Sequence, residues 1–401
     1  MTQARTQAIL WGPVWGLALV QGAITLLWVI YNLYLGQLLT QLGFSQGLAT
    51  TLLVIENLLA LVMEPLMGTC SDQMQHRIGT RLPIIGLGVV LAAGLFGLVP
   101  TALLWGQGPW RWGLPLLLVA WALAMTVFRS PVLSLLGRYA VGTRLPQAAS
   151  ILTLVGALAG GMGPVANQFI LGLGPWVAFG AGSAVLLVAA IALRLAQPEP
   201  AAAAQPPLDQ SPALDWPGLA LVFGTGVGVT LGFRLTMTAL PMAIDQRVPG
   251  GNVALVLGTL FLTLALTAIP AGRLATRLGN RRAMVLGLGA MAALAVLIGF
   301  MASVALGVAL AALFGAALSL VFNGTLPFAL AMVPPARAGL GTGLYFSGGA
   351  LAASLGGLWL SQSTPGLLIS SLGSALAFLG AALCVGYSDR TRQGQPGVDP
   401  A

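Results

Sequence analysis

RIGTR, residues 77–81, returns as RLGNR at residues 277–281, each time between two long apolar runs. A short basic turn written twice, 200 residues apart, raises the question whether the surrounding chain is also written twice. Two further pairs keep a similar offset. FRSPVLSLL (128–136) matches GTLPFALAM (324–332) with Pro131 over Pro327, and VGALAGG (155–161) matches GGALAAS (348–354). Three matches in the same order point to a duplicated unit with small insertions. Gly79 and Gly279 allow each turn to be sharp, because glycine adopts backbone conformations that other residues avoid.

Composition says what lies between the turns. Of 401 residues, 57% are hydrophobic and 6% charged, against roughly 25% charged in a soluble domain; the mean hydropathy is +0.93. A membrane span needs about 20 mostly apolar residues. Glycine, proline and polar breaks divide the chain into about twelve such runs: 11–36, 46–68, 82–104, 114–136, 147–171, 176–196, 215–243, 253–272, 282–301, 304–331, 338–361 and 366–387. The expected fold is therefore an all-α integral membrane bundle of two six-helix pseudo-repeats. The first run leads into a second span without a small-residue cleavage site, so it reads as a retained helix and not a signal peptide.

The net charge of +8 comes entirely from arginine among the basic residues. Its placement reads as topology and not as a nucleic-acid surface. With the N-terminus inside, Arg5, Arg77, Arg81, Arg138, Arg144, Arg194, Arg273, Arg277, Arg281, Arg282, Arg337, Arg390 and Arg392 fall on the cytoplasmic side, against Arg111 and Arg247 outside. An even number of spans puts both termini in the cytoplasm, and a bacterial inner membrane is the expected location. Cys70 and Cys384, at or near the cytoplasmic ends of separate helices, read as inert thiols and not as a disulfide framework.

Between the repeats lies QPEPAAAAQPPLDQSP, a Pro/Ala-rich stretch that reads as a linker. The expected units are residues 1–196, a cytoplasmic linker at 197–214, and residues 215–401. Two parallel six-helix repeats joined this way resemble the major facilitator superfamily, which implies halves that rock about a site near the bilayer midplane.

The first hinge carries a more specific pattern, NLLALVMEPLMGTCSDQMQHRIGTRLPIIGLG (57–88). Through Glu64-Pro65, Gly68, Ser71-Asp72, Arg77, Gly79, Arg81 and Pro83 it resembles the glycoside-pentoside-hexuronide cation symporters and the related sucrose:proton symporters. WVIYNLYL in the first run, ENLLAL in the second, FRSP in the fourth and LPFALAMVPPARAGLGTGLYFSGG across the tenth and eleventh extend the likeness. The resemblance implies proton- or sodium-coupled sugar transport. Melibiose-type permeases have an aspartate where this chain has Arg129 and another where it has Ala60. The loss of two acids leaves few hard oxygen ligands for Na⁺, so protons are the expected coupling ion.

Ionisable groups within spans are functional suspects, because the bilayer makes them costly. Glu56 and Glu64 in the second run, Arg129 in the fourth and Arg234 in the seventh are the set. Arg129 lies at a depth between the two glutamates and could pair with either; Glu56 is read as the proton carrier. Asp72, the acid among the hinge arginines, reads as a gating residue that holds one state through Arg77, Arg81 or a helix N-terminus. Gly79, Arg277, Gly279 and Arg281 belong to the same gating set. Gln21, Thr25, Trp28 and Asn32 stand at i, i+4, i+7 and i+11, along one helix face. Amide, hydroxyl and aromatic groups in one stripe suit a sugar. Asn57, Arg234 and Asn323, with Thr230, Thr238 and Ser319 as neighbours on their helices, complete the candidate substrate-binding residues.

No metal-ligand spacing and no phosphate-cradling glycine loop is present, so neither a cofactor nor an enzyme activity is expected. The expected partners are a small solute, protons and the lipid bilayer, with a monomer as the working unit. Proton-coupled symport of a sugar or glycoside by alternating access is the leading expectation. The alternatives are an exporter or antiporter of amphiphilic solutes, and a non-transporting assembly or lipid-handling protein on the same scaffold.

Overall fold

In the hydrocarbon core every backbone N–H and C=O must be bonded within the chain, so an apolar run of span length folds as a helix. The computed structural model describes residues 9–45, 47–105, 108–140, 142–198, 214–248, 251–362 and 365–393. Twelve long helices are described: α1 Trp11–Gln41, α2 Gly47–Ile78, α3 Leu82–Leu98, α4 Gly113–Leu133, α5 Leu145–Gly172, α6 Gly174–Leu195, α7 Trp216–Arg247, α8 Val253–Leu278, α9 Asn280–Ile298, α10 Val304–Ala331, α11 Ala338–Gln362 and α12 Leu367–Gln393. Eleven are long and apolar enough to cross a membrane. The Gly- and Ser-rich α11 is the one outside that set. The described residues contain no strand. Residues 199–213, on which most of the Pro/Ala-rich linker falls, lie outside the described residues, as does Arg5.

The two hinges join α2 to α3 and α8 to α9. Gly79 has φ 77° and Gly279 φ 86°, the left-handed side of the map where a Cβ is strained. The helix α2 runs on to Ile78, past the end of its apolar run at 68. Its polar tail stays helical because the inward face, Ser71, Asp72 and Gln75, is buried and bonded. Pro131 and Pro327, aligned in the repeat, both sit inside their helices, α4 and α10.

Buried apolar side chains form two clusters. One draws on α1–α6 with Leu326 as a guest, the other on α7–α12 with Ala157 as a guest. The two meet along two seams, α2 against α11 and α5 against α8, the places occupied in each half by the hinge helix and by the matched VGALAGG and GGALAAS segments. At the first seam the backbones touch. A Cβ on Gly68 would lie 2.2 Å from the Gly339 carbonyl oxygen, and one on Gly339 2.3 Å from that of Gly68. The end of the bundle that carries both hinges is called the hinge face below; the opposite end, with Arg111 and Arg247, is the distal face.

Candidate functional site

Between the halves lies a cavity of about 510 Å³. Its wall takes Gln21, Thr25, Trp28 and Asn32 from α1, so the whole stripe faces one space. The remaining wall is mostly apolar, with Phe233, Phe261, Phe322 and Phe346 converging from α7, α8, α10 and α11. Thr153, Thr325 and Tyr345 add hydroxyls.

Two of the stripe's polar atoms are orphaned. Gln21 Nε2 approaches Thr25 Oγ1 at 3.5 Å and Thr25 donates to the Gln21 carbonyl at 3.0 Å, yet Gln21 Oε1 and Trp28 Nε1 are buried without a hydrogen-bond partner. One is an acceptor and the other a donor. The indole of Trp28 does not stand free for a sugar ring. It meets Tyr31 edge-on at 5.5 Å and Trp121 at 4.9 Å, while Tyr31 stacks on Trp121 at 4.7 Å. Asn32 donates to the Trp28 carbonyl at 2.7 Å.

The other sequence candidates lie elsewhere. Asn57, Arg234 and Asn323 are not among the residues that line the cavity. Asn57 donates to the Leu53 carbonyl at 2.6 Å on its own helix. Asn323, fully buried, ties α10 to α8 by donating to the Ala268 carbonyl at 2.7 Å. Arg234 lies against Gly356 of α11. Thr238 donates to the Arg234 carbonyl at 3.1 Å, and Ser319 to that of Ala316 at 2.8 Å.

Arg129 chooses one glutamate. Its Nη2 lies 2.5 Å and its Nε 2.7 Å from Glu64 Oε1, and Ser130 donates to Glu64 Oε2. Glu56, on which the expected proton-carrying pair centred, is instead bonded to the Tyr31 hydroxyl at 2.5 Å, and its Oε2 has no partner. Of the two acids expected within reach of Arg129, simple geometry selects Glu64. Eight residues of helix separate the two carboxylates by about 12 Å of rise, and α4 presents Arg129 at the level of Glu64. The guanidinium also lies over the Phe346 ring, 4.6 Å from its centroid. Phe346 is a wall of the cavity, so the ion pair stands directly behind that wall.

At the hinge face Asp72 joins three elements. Its Oδ1 accepts from Arg81 Nη2 at 2.5 Å and from the Gly339 N–H at 2.8 Å, and its Oδ2 accepts from the Leu340 N–H at 2.9 Å. The two amides belong to the first turn of α11, where backbone N–H groups have no helical partner and the helix dipole favours an anion. Arg81 also bonds Ser134, just past the end of α4. Arg77 and Arg277 are exposed, and Arg281 bonds the Val385 and Gly386 carbonyls of α12 within the second half. Cys70 and Cys384 are both free thiols, and His76 is exposed. Among the described residues no three His, Cys, Asp or Glu side chains cluster as metal ligands would.

Tyr31, Ser130, Ser134 and the four phenylalanines are not among the residues that sequence reasoning singles out. An aromatic ring in an apolar span reads the same whether it faces lipid or a cavity.

This architecture is the major facilitator fold. The description Major Facilitator Superfamily matches residues 222–399, within the second half of the chain. Among solved structures, the human organic anion transporter MFSD10 (TETRAN) is similar at 17% identity and a TM-score of 0.68, covering 94% of this chain and 100% of that one. A bacterial homologue of the iron transporter ferroportin, in an outward-facing state, is similar at 16% identity and a TM-score of 0.68, covering 94% and 99%. No curated protein matches the sequence.

Proposed function

We propose that the chain is a secondary transporter that moves an amphiphilic organic solute through the central cavity by alternating access of two six-helix halves. The observation that carries this reading is the wall of the cavity. Four phenylalanines from four helices face a short polar stripe, which suits a solute with an apolar body and a small polar head. A sugar presents hydroxyls all round and would leave most of them unpaired against these rings, a costly outcome in a desolvated site. Gln21 Oε1 and Trp28 Nε1, a buried acceptor and a buried donor about two turns apart on α1, lack partners, and small side-chain movements would present either to a polar head such as an amide or a hydroxyl. The fold's likeness to a transporter of organic anions fits this solute class better than the sugar reading does.

The hinge face is the cytoplasmic face in this reading, because arginines crowd its loops while Arg111 and Arg247 sit at the other end. The lock there, Asp72 with Arg81 and the start of α11, holds that face closed. Opening it requires breaking charge-assisted bonds across the seam, and closing the distal face in turn gives alternating access. The Glu64–Arg129 pair couples a proton to this cycle. A proton on Glu64 frees Arg129, and Arg129 carries Phe346 with it, so that solute and proton act on one wall.

The test uses purified protein in proteoliposomes and a panel of alkylamides, alkyl glycosides and free disaccharides. Counterflow of the alkyl compounds, with disaccharides neither moved nor competing, is the expected result. Counterflow of free disaccharides alone overturns the amphiphile reading and returns the sugar one.

A further inference from the structure

The two seams between the halves are not alike. Along α2 and α11 the contact is continuous, from the Gly68–Gly339 backbone touch to Ser354 Oγ, 3.5 Å from the Val54 carbonyl. Along α5 and α8 backbone takes part in the contact toward the hinge face, where a Cβ on Gly272 would lie 2.6 Å from that of Ser150 and 3.0 Å from the Pro146 carbonyl oxygen. Toward the distal face the helices meet through side chains, and a Cβ on Gly258 would lie 2.9 Å from Val165 Cγ2. Pro164 interrupts α5, and Ala166 departs from helical geometry at φ −114° and ψ 17°, as expected where proline removes a backbone donor.

Over this distal part of the seam a second cavity of about 540 Å³ opens outward, walled by Leu158, Met162, Val165, Leu255, Gly258 and Leu262. Leu158, Val165, Leu255 and Leu262 are each more than half exposed on the outside of the bundle, the side that faces lipid. Its two polar side chains are committed to their own helix: Asn252 accepts from the Leu255 N–H at 3.1 Å, and Thr259 donates to the Leu255 carbonyl at 2.8 Å. The rest of the wall is apolar and suits an apolar tail.

This second cavity shares Ala157 and Phe261 with the central one. Between the two stands the Phe261 side chain, packed on backbone. A Cβ on Gly160 would lie 3.0 Å from Phe261 Cε1, and one on Gly161 3.1 Å from Phe261 Cβ. The Phe261 ring, packed on two glycines, thus stands with Ala157 in the wall between the groove and the solute cavity.

We infer that the α5–α8 opening is a lateral portal through which the solute's apolar tail passes between the bilayer and the central cavity, with the Phe261 ring as its gate. The inference rests on the amphiphile reading for the solute and adds the route. An amphiphile partitions into the bilayer before it meets the protein, so a lipid-facing route meets a far higher local concentration than an aqueous one.

The test measures access independently of transport. In full-length protein with Cys70→Ser and Cys384→Ser, Thr25→Cys places one thiol on the cavity wall beside Gly160. In liposomes this thiol is labelled either by a long-chain N-alkyl maleimide dissolved in the bilayer or by N-ethylmaleimide from water. Val165→Trp and, separately, Leu255→Trp fill the groove from the lipid side. Both are expected to slow the long-chain reagent while leaving N-ethylmaleimide unchanged, and Phe261→Ala is expected to speed the long-chain reagent alone. Unchanged long-chain labelling in both tryptophan variants, or equal slowing of both reagents, overturns the portal. Failure of the amphiphile reading looks different. In that case the portal variants discriminate between the reagents as expected, yet no alkylamide protects the thiol or undergoes counterflow.

Discussion

The Asp72 carboxylate, near the end of α2, accepts a hydrogen bond from the Gly339 N–H of α11 at 2.8 Å, across the seam between the two halves. The same oxygen accepts from Arg81, so one buried acid holds a helix N-terminus of one half and a hinge arginine of the other. Hydrogen bonds to charged groups contribute about 1.5–3 kcal/mol each. Asp72→Asn keeps the shape and removes the charge, and should shift the balance toward states open at the hinge face. Gly68→Ala should do the same by unrelated means, because its Cβ cannot fit against the Gly339 carbonyl. Labelling of a single cysteine placed at Leu330, half-buried in the cleft at the hinge face, should rise in both variants. Equal labelling in wild type and variants would remove Asp72 from gating.

Trp28 lines the cavity with its indole N–H buried and unpartnered and its ring held by Tyr31 and Trp121. Trp28→Phe deletes the donor and keeps an aromatic body in the cluster. For a solute with an acceptor in its head the expected loss of affinity is about 0.5–1.5 kcal/mol. Gln21→Leu, which deletes the orphaned acceptor, should instead spare solutes whose head has no donor. Calorimetry on folded protein reads both. If neither variant discriminates between heads, the stripe is helix packing.

Much of this was legible in the sequence, and what was not has a common cause. Hydropathy and the repeated hinge mark twelve helices, because length and apolarity are one-dimensional properties. The stripe from Gln21 to Asn32 was legible because four residues on one helix fix each other's face. Rotation of one helix against another is not written this way. The depth of Arg129 left Glu56 and Glu64 open, and only the packing of α4 on α2 decides for Glu64. Asn323 carries the same polar signal as the stripe but faces the Ala268 carbonyl of α8. Phe261 and Phe346 carry no signal, since their spans are apolar on every side.

The Glu64–Arg129 pair predicts a stability pattern. Glu64 is fully buried and the Arg129 side chain is 20% exposed. Arg129→Met leaves a buried carboxylate without its cation, which costs about 3–5 kcal/mol. Adding Glu64→Gln should recover most of this, because a neutral pair carries no such penalty. Thermal unfolding of the two single variants and the double variant in detergent closes the cycle. Additive losses would show that the pair contributes no coupling energy.

Coupling is the last prediction, and the two glutamates separate its outcomes. Glu64 touches Arg129, Arg129 lies over Phe346, and Phe346 walls the cavity, so a proton on Glu64 reaches the solute through two contacts. Glu56 also lies two contacts from the wall, through Tyr31 and Trp28, but that path carries no cation that a proton would release. Glu64→Gln mimics the protonated form. It should abolish accumulation driven by a pH gradient yet keep downhill exchange, because rocking and binding do not need the charge. Glu56→Gln retains an acceptor for the Tyr31 hydroxyl and should leave gradient-driven accumulation in place. Replacing Na⁺ by K⁺ should change nothing in either. By linkage the solute must shift the proton affinity of the same site by the factor that the proton shifts solute affinity. Solute binding should therefore release or take up protons in wild type, measurable in weakly buffered solution, and should not in Glu64→Gln. If Glu56→Gln is the variant that loses accumulation and the proton signal, the carrier is Glu56 and the Glu64–Arg129 pair is a static tie between α2 and α4.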